Sequence, residues 1–168
     1  MRWLRTVSTL LGTTLFAQSL KVGDRVPPTL SAQDENGQII RLADLKGQWV
    51  VLYFYPHDDT PGCTKQAKEF SRLLEEFRKL GAQVYGISLQ GSESHKRFRQ
   101  KHQLKVPLLT DKDGEVARTF GVKVFAGMCS RDVAVLNPEG KVALFRQGVS
   151  PESSASEILA WLKAQTGK

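Results

Sequence analysis

Residues 49–55 read Trp-Val-Val-Leu-Tyr-Phe-Tyr, with no polar interruption. A continuous apolar run rich in β-branched and aromatic residues predicts a strand buried on both faces, because a strand with one wet face alternates. Pro56 ends that run. Beyond it, Ala67, Phe70, Leu73, Leu74, Phe77 and Leu80 recur at helical spacing with Lys, Glu and Arg between them. That pattern predicts an amphipathic helix, with Gly81 placed to stop it. Residues 83–89 predict the next strand, 92–103 a polar helix anchored by Phe98, 106–109 a short strand, and 115–120 a short helix closed by Gly121. Two hairpins are expected, one joining 29–32 to 38–42 through Asn36-Gly37, the other joining 132–136 to 142–146 through Pro138-Glu-Gly-Lys141. Residues 151–165 predict a terminal helix with Ile158, Leu159 and Leu162 on one face.

Strands alternating with helices imply an α/β layer with a mixed sheet. By analogy, the late hairpin followed by a last helix points to a thioredoxin-like sheet. A length of 168 residues suits one domain, and a chain of about 150 residues buries roughly 70% of its unfolded surface. An apolar fraction of 40% excludes a disordered chain. Only two cysteines are present, Cys63 and Cys129. They cannot staple a small secreted scaffold or build a four-thiolate zinc or iron–sulfur centre, so each needs its own explanation.

Residues 1–19 differ from the rest. Arg2 and Arg5 form a short positive segment, residues 6–16 are uncharged with Val7, Leu10, Leu11, Leu15 and Phe16, and Ala17-Gln18-Ser19 supplies small residues two apart. This is the arrangement of a cleavable export signal, too short to span a bilayer, where about 20 apolar residues are needed. The expectation is therefore a periplasmic or secreted protein with a single domain over 20–168; an ordinary cytoplasmic N-terminus is the alternative. Cleavage would remove two of the 24 basic residues and none of the 17 acidic ones. No other segment could insert stably in a membrane. The net charge of +7 allows a nucleic-acid partner, but the basic residues are dispersed. The densest run is Lys96, Arg97, Arg99, Lys101 and Lys105, with His95 and His102 interleaved, and it reads as a solvated helix face.

The candidate chemistry lies between the buried strand and the amphipathic helix, in Pro56-His-Asp-Asp-Thr-Pro-Gly-Cys63. Thr60 suits an N-cap and Pro61 the first helical position. Cys63 then falls in the first turn, where unpaired N–H groups and the helix dipole favour an anion such as a thiolate. That makes Cys63 a candidate nucleophile; the competing reading is a buried structural thiol. Thr60 also reads simply as a cap. Asp58 and Asp59 form a potential acid–base pair, but at a helix entrance they read more simply as solvated loop residues. His57 reads as a loop residue, since no His/Cys spacing matches a metal site.

The triad Pro56, Thr60 and Cys63, in the spacing Pro-x-x-x-Thr-x-x-Cys, resembles the active-site motif of the peroxiredoxins. The fuller stretch Phe54-Tyr-Pro-His-Asp-Asp-Thr-Pro-Gly-Cys-Thr64 is similar to the Q-type subgroup, also called the bacterioferritin comigratory protein type. Gly86-Ile-Ser88, Ser94-His95, Phe98, Pro107-Leu-Leu109, Asp111, Gly114, Ala117, Gly121-Val122, Arg131 and Pro138-x-Gly-Lys141 continue the likeness, over about residues 20–165. It implies a thioredoxin-fold thiol peroxidase: a mixed central sheet flanked by helices, with an N-terminal β-hairpin extension. Cys63 would be the peroxidatic nucleophile, oxidised to a sulfenic acid by hydrogen peroxide or an organic hydroperoxide. Thr60 would hydrogen-bond the peroxide and the thiolate, Pro56 would shield the site, and Arg131 would stabilise the developing charge. Without the resemblance, Arg131 reads as a surface arginine. No cofactor and no metal is implied. The implied partners are a hydroperoxide and thioredoxin or another thiol reductant, with no nucleic acid, on a monomer or weak dimer.

Many Q-type members carry a resolving cysteine five residues after the nucleophile, where this chain has Lys68. If residues 129–131 are extended, Cys129 and Arg131 share a face, which makes Cys129 a possible resolving residue. The alternatives are a one-cysteine cycle using an external thiol, or a bystander Cys129. Two rival functions are a thioredoxin-like thiol–disulfide oxidoreductase and a non-catalytic thioredoxin-fold binding module. The first needs Cys-x-x-Cys, but Gln66 stands three residues after Cys63. The second would be expected to lose Thr60, Cys63 or Arg131, and all three are present.

Overall fold

The computed structural model of the protein describes residues 18–167. The export segment expected over 1–19 therefore lies outside the described residues, apart from Gln18 and Ser19. In chain order the elements are β1 (Ser31–Gln33), β2 (Ile39–Arg41), β3 (Trp49–Phe54), α1 (Pro61–Lys79), β4 (Ala82–Ser88), α2 (Ser92–His102), β5 (Leu108–Thr110), α3 (Glu115–Phe120), β6 (Val124–Phe125), β7 (Met128–Cys129), β8 (Val133–Leu136), β9 (Val142–Arg146) and α4 (Ser154–Thr166). A 3-10 turn over Leu42–Leu45 follows β2.

Seven strands form one mixed sheet in the order β2-β1-β5-β4-β3-β8-β9. At its centre β3 pairs with β4 in parallel (Val51 opposite Val84) and with β8 antiparallel (Val51 opposite Val135). Being flanked on both edges and covered on both faces explains the unbroken apolar run. Successive side chains of β3 point to opposite faces. Val51, Tyr53 and Tyr55 enter a core with Phe70, Leu74 and Phe77 of α1, Phe98 of α2 and Ile158 and Leu162 of α4. Val50, Leu52 and Phe54 enter the other core, with Leu42, Val116 and Phe120. The N-terminal hairpin is present as an extension at the sheet edge, β1 joining β5 through Gln33 and Thr110. The late hairpin forms as β8 and β9.

Tyr53 lies flat across Gly86, its opposite number on β4, and stacks on Phe70 with ring centroids 4.4 Å apart. A Cβ at position 86 would stand 2.6 Å from the Tyr53 ring and hydroxyl, so the close approach requires glycine there.

The structure departs from the sequence expectation at a boundary and in an added element, and the strand expected over 106–109 forms instead at Leu108–Thr110. The last helix starts at Ser154 rather than at 151, because residues 151–153 form a turn in which Ser150 Oγ accepts the Glu152 N–H at 3.2 Å. The short hairpin of β6 and β7 was not predicted; two-residue strands carry no usable periodicity.

Candidate active site

α1 starts where the sequence places it. Thr60 is the N-cap residue, with Pro61 in the first helical turn and Cys63 two residues on. The expected cap bond is not made. Thr60 Oγ1 donates instead to the carbonyl of His57 at 2.9 Å, and no side chain caps the helix. Pro61 has no N–H, and the first helical bond runs from the Thr64 N–H to the Thr60 carbonyl at 2.8 Å. The N–H groups of Gly62 and Cys63 therefore stay outside the helical ladder, aimed where an anion is stabilised.

Cys63 is 1% exposed. Its sulfur accepts a bond from Arg131 Nη2 at 3.4 Å, and Arg131 Nη1 donates to Gln66 Oε1 at 2.7 Å. Gln66, fully buried, donates through Nε2 to Ser154 Oγ at 3.1 Å. The two ends of the guanidinium fork are thus fixed by residues three apart on one helix, a spacing that places side chains on one face. The segment bearing Arg131 is also held. Val149 N–H donates to the Arg131 carbonyl at 3.0 Å, and buried Asp132 accepts from the Gly148 N–H and from Ser130 Oγ, both at 2.9 Å. Gly62 provides the room for this arrangement: a Cβ there would lie 3.1 Å from Arg131 Nη2.

Thr60, Cys63 and Arg131 are the residues expected from the sequence; Gln66 and Ser154 are additions that the fold reveals. Gln66 entered only as the residue excluding a Cys-x-x-Cys pair. Its position three residues after Cys63 on the same helix was the available signal. Pro56 is half-buried, and its carbonyl accepts from Gln90 Nε2 at 3.4 Å. Lys68 is exposed.

Three readings are corrected by the structure. Asp58 is not solvated: it is 5% exposed and accepts bonds from Tyr55 Oη (2.7 Å), Ser94 Oγ (2.8 Å) and His95 Nδ1 (2.7 Å). Burial pushes its carboxyl up, but the bonds from His95, Tyr55 and Ser94 outweigh burial and hold it below the ordinary range. Asp59 is exposed as expected, and is held by Lys101 Nζ at 2.7 Å and His102 Nε2 at 2.6 Å. The basic run on α2 is not uniformly solvated, since His95 is fully buried and Arg99 pairs with Glu35 at 2.8 Å.

Cys129 and Arg131 do not share a face. Arg131 reaches Cys63, whereas Cys129 packs in the opposite core with Phe54, Ile87 and Phe120. Residues 130–132 lie between β7 and β8 outside regular structure, where the two-residue alternation of a strand is not imposed; the Ser130 N–H bonds across to the Lys123 carbonyl at 2.9 Å and its hydroxyl bonds forward to Asp132. Cys129 is 3% exposed, its sulfur 3.2 Å from the Tyr55 carbonyl, and burial pushes its thiol up to about 12. Among the described residues, no group of three His, Cys, Asp or Glu is placed to hold a metal, and no helix is long and apolar enough to cross a membrane.

Comparison with known proteins agrees with this geometry. Residues 22–145 match the model of the AhpC/TSA family. The chain is 41% identical to the chloroplastic peroxiredoxin Q of Suaeda salsa over 142 residues, 83% of this chain and 66% of that protein. It is 40% identical to that of Sedum lineare over 153 residues, 89% of this chain and 81% of that one. Among solved structures, a mutant of Xylella fastidiosa PrxQ superposes with a TM-score of 0.82 at 28% identity, over 88% of this chain and 98% of that one. The Xanthomonas campestris bacterioferritin comigratory protein, described for its alkyl peroxide reduction activity, gives 0.78 at 33% identity, over 88% and 98%. Set beside a buried thiol at a helix start under a forked arginine, these likenesses leave one family: the chain belongs to the AhpC/TSA proteins, as a peroxiredoxin of the Q type, a thioredoxin-fold thiol-dependent peroxidase.

Proposed function

We propose that Cys63 is the peroxidatic residue and that Arg131, Thr60 and Pro56 complete its site. The observation that carries the reading is Arg131 Nη2 at 3.4 Å from Cys63 Sγ, in the first turn of α1. The Cys63 thiolate attacks the terminal oxygen of a hydroperoxide, forming an S–O bond as the O–O bond breaks. Sulfur is oxidised to a sulfenic acid, and the leaving oxygen departs with the bonding pair to be protonated as water or an alcohol. The guanidinium faces the charge as it moves from sulfur to the leaving oxygen. The Thr60 hydroxyl donates a hydrogen bond to the His57 carbonyl, which leaves its oxygen lone pairs to accept a hydrogen bond from the O–H of the peroxide. Pro56 shields the thiolate from water.

Hydrogen peroxide and organic hydroperoxides are the proposed substrates, supported by the alkyl peroxide reduction named for the Xanthomonas relative. For recycling we propose a one-cysteine cycle, in which an external thiol condenses with the sulfenic acid, releases water, and a second thiol frees Cys63. The burial of Cys129 in the opposite core supports this over a Cys63–Cys129 disulfide. Thioredoxin as that reductant, a monomer or weak dimer, and a single domain over 20–168 follow from the resemblance. No nucleic-acid partner is proposed, since the basic residues are dispersed along the chain. Residues 1–19 are proposed as a removable targeting segment, with the periplasm or exterior as destination; N-terminal sequencing of the mature protein checks it.

The test is mass spectrometry of peroxide-treated protein beside peroxide consumption by Cys63→Ser. The expected result is one oxygen on Cys63, no intramolecular disulfide, and no turnover by the variant. Wild-type turnover by Cys63→Ser would overturn the assignment, and a Cys63–Cys129 bridge would overturn the one-cysteine cycle.

A further inference from the structure

The backbone of residues 56–60 carries Pro56 and Thr60. These residues leave β3 and enter α1 without regular structure. They include Asp59 at φ 58°, a left-handed conformation that a non-glycine residue seldom adopts unless its surroundings impose it. Buried beneath them is the group made by Asp58, His95, Ser94 and Tyr55.

Hydrogen-bond counting shows how specific this group is. Asp58 Oδ1 accepts from Tyr55 Oη, and Oδ2 accepts from Ser94 Oγ and His95 Nδ1. His95 Nε2 points at the Leu109 carbonyl at 3.2 Å. Both ring nitrogens thus face acceptor oxygens, and the Tyr55 hydroxyl lies 3.4 Å from Nδ1. The members come from four elements: Tyr55 at the end of β3, Asp58 in the loop, Ser94 and His95 on α2, and Leu109 on β5. A second set fixes the backbone on either side. The Asp58 N–H donates to Gln90 Oε1 at 3.2 Å, Gln90 Nε2 donates to the Pro56 carbonyl, and the Asp58 carbonyl lies 2.8 Å from His57 Nδ1. The next carbonyl back, that of His57, receives the Thr60 hydroxyl. The orientation of Thr60 is therefore set by a peptide whose other end is anchored by the Asp58 side chain.

We propose that Asp58 and His95 are positioning residues for the peroxide reaction: a buried carboxylate–imidazole pair that clamps the β3–α1 loop to α2 and so holds Thr60 and Pro56 over Cys63. The proposal rests on Cys63 being the peroxidatic residue. Neither clamp residue touches the reacting sulfur, so its effect reaches the chemistry only through the loop. Two properties follow. Loss of the clamp slows reaction with a peroxide, which needs the Thr60 frame, more than reaction with a simple alkylating agent, which makes no use of that frame. The donor to Asp58 also matters more than the ring itself: asparagine at position 95 places an amide where Nδ1 stands, whereas leucine offers no donor.

The experiment compares His95→Leu, His95→Asn and Ser94→Ala with the unaltered chain, following Cys63 oxidation by hydrogen peroxide and its alkylation by iodoacetamide. A misplacement of about 1 Å in a positioned group costs on the order of 10²-fold in rate. The expected result is a fall of roughly ten- to hundredfold in the peroxide rate for His95→Leu, with alkylation within about threefold. His95→Asn is expected to recover most of that loss, and Ser94→Ala, which keeps the imidazole, to lose roughly threefold. An unchanged peroxide rate in folded His95→Leu overturns the proposal, as does an equal fall in both reactions, which would mean that the group only stabilises the fold. If His95→Leu does not fold, His95→Asn and Ser94→Ala decide: peroxide and alkylation rates that fall together in both overturn it. Cys63→Ser is run alongside, and its failure to abolish peroxide consumption removes the underlying assignment rather than the clamp.

Discussion

Replacing Arg131 by methionine tests the site most directly, because the change keeps a long flexible side chain and deletes the charge and both ends of the fork. At 3.4 Å a unit charge acts on a thiolate with about 5 kcal/mol at an effective dielectric constant near 20. Arg131 is half-buried, so water recovers part of that term when the guanidinium goes. A net loss of about 3 kcal/mol in the barrier is expected, a rate roughly a hundredfold lower, in line with removal of one donor from an oxyanion site. Arg131→Lys keeps the charge but cannot hold Gln66 Oε1 and the sulfur together, and a loss of roughly tenfold is expected. Methionine also leaves the buried Gln66 carbonyl without its donor, at a cost of about 1–3 kcal/mol in stability. Quenched-flow mass spectrometry of Cys63 under excess hydrogen peroxide gives the rate, and urea unfolding gives the stability. A folded Arg131→Met variant reacting within about threefold of the parent would refute the electrostatic argument.

Gly62→Ala brings a methyl to within 3.1 Å of Arg131 Nη2, the mobile end of a long side chain, so the guanidinium yields rather than the backbone. A roughly tenfold loss of peroxide rate with under about 1 kcal/mol loss of stability is expected, from the same two assays. The Tyr53 hydroxyl is fully buried without a partner among the described residues, and burial, together with the nearby Asp58 and Cys63, raises its pKa far above the usual phenol value. Tyr53→Phe is therefore expected to leave stability unchanged or raise it by about 1 kcal/mol, read by denaturant midpoint. The Asp58 carboxyl is held below its ordinary value, so its contribution is complete above the unfolded value of about 3.9 and is lost as pH falls through the folded one. Asp58→Asn is expected to lose less stability than the parent between about pH 6 and pH 3, a difference that urea melts at the two pH values measure. Because burial pushes the Cys129 thiol up to about 12, iodoacetamide at neutral pH is expected to label Cys63 and to spare Cys129 until the chain is unfolded, which peptide mapping reads.

Much of the architecture was legible because the signals were local and strong. The run at 49–55 is apolar without interruption since β3 is enclosed by β4, β8 and a core on each face, and α1 declared itself by six apolar positions at one spacing. The placement of Cys63 followed from Pro61 and the helix start. What did not show was anything that depends on which distant side chains meet. Asp58 and Asp59 are adjacent and identical in type, yet one is buried against His95 and the other is exposed against Lys101 and His102. No property of the dipeptide distinguishes them; the orientation of α2 does.

The same division holds for the two cysteines. Sequence alone determined that they could not form a metal cluster or a disulfide scaffold, and that Cys63 begins a helix where a thiolate is favoured. That conclusion needs only composition, a proline and a periodicity, all local quantities. Which residue would stand opposite the thiol, and which would not, was decided by tertiary structure. Between β7 and β8 the chain is irregular, and Arg131 reaches Cys63 while Cys129 packs in the opposite core, where a two-residue alternation would have put them together. Within a strand the face alternates residue by residue and the pattern records it; in the irregular segment between two strands no such period holds, and the path of the chain through the fold decides which core a side chain enters.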